Sequence, residues 1–304
     1  MRFRKIAVFL ALAYGIAWTL GFGFFALGGR VNSGAFIAVA VGYMFAPAVA
    51  AVITQKWIWK EPLRELGLRM PRFPWMAVAW LLPVLLVVVT LALSLAVPGV
   101  SLVTGIEGFI ARIADKVPPE HVTRLKKDIG QSILATPGVL LLLSFGQVLV
   151  AGPTINAIAA LGEELGWRGL LMRELKPLGF WRSSVVIGFF WGLWHLPVIV
   201  NGYNYPGHPI LGPVMMTLLT ILLSPFVGYL TLRAESVFAA AVFHGTFNAA
   251  ASLAIFLSGG SVLVVGMTGF AGMLTLFLAN AVLWVHLRRR GALGTAAVGE
   301  ATLL

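Results

Sequence analysis

Cysteine is missing from the chain altogether, which excludes disulfides and thiolate chemistry. Charge is scarce as well: Asp, Glu, Lys and Arg make up 11% of the 304 residues, less than half of the roughly 25% carried by a soluble domain. Acids are scarcest, 11 against 22 basic residues. There is no long polar stretch that could form a soluble domain, no convincing internal repeat and no HExxH or other close-spaced pair of metal ligands. What the chain has is apolar residues, 59% of the total, in runs long enough to cross a bilayer as helix, which takes about 20 residues. The formal net charge of +11 at first suggests nucleic acid. Its distribution argues otherwise, because the basic residues sit in the gaps between apolar runs and on alternate sides, as in proteins oriented by the positive-inside rule. The expected partners are the lipid bilayer and no nucleic acid.

Apolar runs fall at about 6–28, 34–54, 75–97, 136–175, 183–200, 210–232, 237–257 and 262–285. The fold class is therefore all-α: a polytopic transmembrane helical bundle of about eight spans with both termini cytoplasmic. Arg2, Arg4, Lys5, the loop after the second run, the turn after Glu164, Arg233 and Arg288–Arg290 then share one side. The first run follows MRFRK and is too long for the core of a signal peptide, so it reads as an uncleaved span. Three segments follow: a three-span part with an amphipathic connection (1–132), a core (133–257), and a last span with a basic tail (258–304). In the connection, Ile106, Phe109, Ile110, Ile113 and Val117 recur at helical spacing, with Arg112, Asp115 and Lys116 between them. That pattern suits a helix lying on the membrane surface, either as an interfacial cap or as a lid. Pro83 should bend the third span, and Gly152–Pro153 should interrupt the fourth. High Ala, Gly, Leu and Arg content and short loops suggest a prokaryotic plasma membrane as the location of this multi-pass protein.

Against this apolar background three polar clusters stand out, because ionisable groups inside a bilayer are costly and usually functional. The first is LGEELGWRGLL, with Glu163, Glu164 and Arg168. Helix neighbours point about 100° apart, so the two carboxylates face different ways. Glu164 and Arg168, spaced i,i+4 with the acid first, suit an ion pair, which leaves Glu163 to another face as a candidate water-activating base. The second cluster is His195 in FFWGLWHLP, with Trp191 one turn before it. The third is His244 and Asn248 in FHGTFN, on one face of the seventh span. Each cluster alone also reads as ordinary structure: a capped helix end, a packed imidazole, an interhelical hydrogen bond. Together, an acid, two imidazoles and an amide on apolar helices point to one hydrolytic site. His195 and Asn248 lie about a dozen residues from the basic ends of their spans, roughly mid-membrane at about 1.5 Å per residue. A site open toward the cytoplasm follows from that count.

At these residues the chain resembles the CPBP family of intramembrane proteases, which groups CAAX prenyl proteases with bacterial Abi-type proteins. The family's EExxxR motif matches Glu163, Glu164 and Arg168; its FxxxH matches His195, with Trp191 at the Phe position; its third motif, His followed four residues later by Asn or an aliphatic residue, matches His244 and Asn248. The resemblance covers about 136–257 and implies hydrolysis of a peptide bond in a membrane-associated protein or peptide, the best-known family substrate being a prenylated CaaX tail. It implies that Glu163 with His195 activates water, that His244 and Asn248 stabilise the oxyanion, and that Glu164 and Arg168 orient and balance charge. It also implies a zinc alternative, with Glu163, His195 and His244 as three ligands, beside a metal-free mechanism. Two other readings compete: a non-catalytic scaffold or bacteriocin-immunity-type protein, and a small-molecule carrier, whose usual repeats are not evident.

Overall fold

The structure is a computed structural model, and it describes residues 1–113, 136 and 138–289. Seven helical stretches among the described residues are long and apolar enough to cross a membrane. They begin with α1 (Phe3–Ala26), α2 (Gly34–Val52) and α3 (Phe73–Leu95). A short α4 (Ile106–Ile113) follows, and its Phe109 stacks on Phe256. The expected amphipathic segment is helical that far; Asp115, Lys116, Val117 and His121 lie outside the described residues. The fourth span is built of α5 (Val139–Ala151), α6 (Ala157–Glu164) and α7 (Met172–Leu175).

Gly152–Pro153 does not break the fourth span as the sequence suggests. The helix passes through it as a wide π turn, Gly152–Asn156, and a second π turn covers Leu165–Leu171. Pro153 has no N–H for the carbonyl four residues back, Leu149, and the Trp80 indole N–H donates to that carbonyl at 3.0 Å instead. A neighbouring helix thus supplies the hydrogen bond that the proline removes.

The fifth span behaves in the opposite way. Expected as one helix over 183–200, it is α8 (Phe180–Trp194) and α9 (Leu196–Val200), interrupted at His195. Pro197 removes one ladder bond, and the amides of Val198 and Ile199 both turn to the His195 carbonyl. The Trp194 carbonyl left over accepts from Trp18 Nε1 at 3.1 Å and from the Tyr43 hydroxyl. That kink sets the imidazole of His195 at a helix junction. The remaining spans are α10 (Leu211–Ala234), α11 (Val237–Ala251, extended by a tight turn to Phe256) and α12 (Phe270–Arg289). The last span starts eight residues later than expected, because 262–269 is a turn-rich loop. A two-stranded pairing, Ser101–Leu102 with Leu257–Ser258, ties the loop after α3 to the end of α11.

The ends of the described chain meet at one face, where Arg2 pairs with Glu61 and Glu174 and Tyr229 meets His286. There Lys5, fully buried, donates to Gln55 at 2.7 Å and to Glu61 at 2.5 Å, while Arg173 pairs with Glu61 at 3.0 Å and with Glu65. Partial burial opposes the charge on Glu61, but hydrogen bonds from Arg2 and Lys5 outweigh it and lower its carboxyl from 4.5 to about 2. A depressed carboxylate contributes stability that is complete above its ordinary value and is lost as pH falls through the folded value. Thermal midpoints in detergent are therefore expected to be flat from neutral pH to about 5, then to fall below about 4.5. Glu61→Gln should flatten that acid decline, and an unchanged slope in scanning fluorimetry would assign it to other groups.

Candidate active site

Small residues bring the relevant helices together. A Cβ on Gly245 would stand 2.4 Å from the Ala157 nitrogen and 2.6 Å from the Gly152 carbonyl oxygen, so α11 lies backbone to backbone against the fourth span. A methylene at this position would force the two apart. The close crossing carries His244 to Glu164, which face each other at 2.8 Å between Nδ1 and Oε1. Glu164 also accepts two hydrogen bonds from Arg168 Nη1, at 3.0 and 2.9 Å, with both side chains fully buried. The expected ion pair is present, and it holds His244 as well. Arg168 donates in turn to Ser224 Oγ at 3.3 Å and lies 4.5 Å from the centre of the Trp191 ring.

Glu163 points elsewhere, as helix geometry requires. Its Oε2 accepts from the Trp191 indole N–H at 2.7 Å. Trp191 is thus the centre of the cluster: its ring stands edge to face with His244 at 5.1 Å and 6.2 Å from His195, while its N–H holds the carboxylate. The His195 Nδ1 sits 2.8 Å from the Trp191 carbonyl, which can only accept, so Nδ1 carries the proton and Nε2 presents its lone pair. Sequence reasoning missed two of these contacts. The motif treats Trp191 only as an aromatic at a Phe position, although a buried indole N–H is obliged to find an acceptor. Ser224 was not singled out, although a hydroxyl in the middle of an apolar span is itself a signal.

Glu163, His195, His244 and Asn248 all line one cavity of about 560 Å³. Glu164 and Arg168 are behind its wall. The rest of the lining is aromatic and aliphatic, including Phe36, Tyr43, Trp194, Met216 and Phe247. Exposure rises along it: Glu163 is 2% exposed, His195 is half-buried and Asn248 is exposed. The exposed lining residues at its mouth are Tyr203, Asn204, Ser252 and Val262. These belong to the loops at the end opposite Arg2 and Arg289, which corrects the expectation of a site open toward the basic face. Counting residues along the spans gave the depth of the site; it carried no information on which end the packing closes.

The zinc alternative can be tested against this geometry. Among the described residues no three His, Asp or Glu side chains are arranged to hold a metal ion. Glu163 is turned to an indole N–H, and one nitrogen of each imidazole is taken by Trp191 or Glu164. The nitrogen left open on each imidazole is Nε2, and the chemistry proposed for the site is carried by the side chains themselves.

A bundle of membrane-spanning helices that encloses a carboxylate, two imidazoles and an amide around one cavity has the form of an integral membrane protein with a polar site among its spans. Residues 145–250, which contain all three motifs, match the family model described as Type II CAAX prenyl endopeptidase Rce1-like. The chain is also similar to the CAAX prenyl protease 2 of Methanococcus maripaludis, with 38% identity over 65 residues. That stretch is 20% of this chain and spans 24% of the relative's length.

Proposed function

We propose that the protein is an intramembrane endopeptidase acting on a membrane-associated polypeptide. The observation that carries this reading is the convergence of Glu163, His195, His244 and Asn248, from three spans, on the wall of one cavity. A water between the Glu163 carboxylate and the His195 Nε2 loses a proton to this pair as its oxygen attacks the scissile carbonyl. The oxyanion forms beside the Asn248 amide and His244, whose Nδ1 is anchored on Glu164. With a proton also on Nε2, His244 donates into the cavity and neutralises the excess negative charge of two carboxylates facing one guanidinium. Collapse of the adduct breaks the C–N bond, and the proton held by the acid–base pair passes to the departing amine.

Trp191 positions the base. Trp191→Phe frees the Glu163 carboxylate to leave this position, and is expected to lower turnover about tenfold or more with little change in KM. A rate within twofold of wild type would remove Trp191 from this role.

The apolar wall supports a lipid-modified or apolar peptide as substrate. A prenylated CaaX tail is the narrower candidate, supported by the name of the similar archaeal protein. Terminal-peptide profiling of membranes with and without the protein tests the activity. New membrane-protein termini should appear only where the protein is present, and should persist after exhaustive chelation. Identical profiles would overturn the endopeptidase reading, and loss on chelation with recovery on added Zn²⁺ would restore a metal mechanism.

A further inference from the structure

The two ends of this molecule differ in charge and in closure, and the differences run in opposite senses. Apart from Arg168 inside the bundle, fourteen of the described Lys and Arg residues lie at the end that holds Arg2 and Arg289, against Arg30 and Arg112 at the other. The 114–135 segment adds four basic and three acidic residues by sequence, which leaves this asymmetry in place. The basic end is also the closed one. Between the site and the basic loops lie Trp167, Leu170, Leu171, Leu66 and Val237, each without exposure. The packing there is tight, since a Cβ on Gly169 would stand 2.8 Å from the Leu66 carbonyl oxygen. Below this layer the buried Lys5 and its carboxylate partners tie α1, the 55–65 segment and the fourth span together.

At the other end the cavity reaches exposed Asn204, Ser252 and Val262. No residue of the loops at 55–72, 176–182 or 233–236 lines it. Among the described residues, Glu163 is the one Asp, Glu, Lys or Arg in the lining. A peptide bond brings two strongly hydrated groups, and moving them through a close-packed apolar layer is costly. Entry through the basic end would require that layer to open. Positive-inside orientation puts the basic end in the cytoplasm.

From these observations we infer that the site takes an uncharged, apolar peptide segment of a membrane-anchored polypeptide from the extracytoplasmic face. The inference rests on the endopeptidase reading for what happens to that segment, but the side of entry stands on its own geometry. A prenylated CaaX tail, the narrower candidate above, fits this reading only where it is presented on that face.

The absence of cysteine makes the test direct, because each introduced thiol is unique. Full-length Ser252→Cys, Val262→Cys and Arg64→Cys proteins, in bacterial membranes, are treated with a membrane-impermeant maleimide in right-side-out and inverted vesicles. The two mouth positions are expected to label at least tenfold more in right-side-out vesicles, and Arg64→Cys in inverted ones. Two mouth positions guard against one variant failing to insert. Labelling of the mouth from the cytoplasmic side, or equally from both sides, overturns the inference and leaves the protease reading standing. An uncharged, acyl-anchored Ala/Leu/Phe peptide added to right-side-out vesicles then tests the chemistry. Its cleavage should need Glu163 and should be blocked at least tenfold by maleimide on Val262→Cys. If the labelling is as expected but no cleavage depends on Glu163, the endopeptidase reading is what fails.

Discussion

Glu163→Gln is expected to lower cleavage about 10²–10⁴-fold, the range that a positioned general base contributes, while the protein still inserts and melts within a few degrees of wild type. The two expectations belong together. Glutamine has nearly the same shape, and its carbonyl oxygen can keep the hydrogen bond from the Trp191 indole, the contact that holds Glu163 at 2.7 Å. The buried Arg168–Glu164 pair is untouched. What disappears is the ability to take a proton from water at a site where Glu163 lines the cavity beside His195. The measurement is turnover of a purified, detergent-solubilised protein on the substrate found by terminal profiling, alongside its thermal midpoint. Retention of more than a tenth of the wild-type rate with an intact fold would exclude Glu163 as the base.

Arg168→Met is expected to act in the other way, mainly on stability. Among the described residues Arg168 is the only guanidinium on the buried carboxylate of Glu164, makes two hydrogen bonds to it, and donates to Ser224 beside the face of Trp191. Removing one partner of a buried ion pair strands the other, at a cost of about 3–5 kcal/mol, which corresponds to a drop on the order of 10 °C in the thermal midpoint. Glu164 would retain only His244 as a partner, so the imidazole would be pulled from the orientation in which it can donate into the cavity. The double variant Arg168→Met, Glu164→Gln should recover part of the lost stability, because no unpaired charge then remains. It should not recover activity. A single variant that melts with wild type would show that the pair has no structural role.

The fold was legible where composition and spacing carry the physics. Apolar runs of bilayer length gave the spans, because no other structure satisfies the backbone in lipid. Helical periodicity alone separates Glu163 from Glu164 and pairs the latter with Arg168, as the structure has it. Prolines were read less well, since the consequence of each depends on its neighbours. Pro153 lies beside an indole that takes up the freed carbonyl, and the helix continues through a π turn; at Pro197 the Trp194 carbonyl is likewise taken up by neighbouring helices, but the amides of Val198 and Ile199 both turn to the His195 carbonyl and the helix breaks there.

By itself, then, the sequence determined which residues can do chemistry and that they lie on membrane helices, because side-chain identity and hydropathy are properties of single positions and short windows. Only the tertiary structure decided that His244 rests on Glu164, that Trp191 holds Glu163, and that the cavity opens at the charge-poor end. Those are relations between spans distant in sequence. They are set by how closely glycines such as Gly245 let backbones approach and by which end of the bundle the large apolar side chains fill.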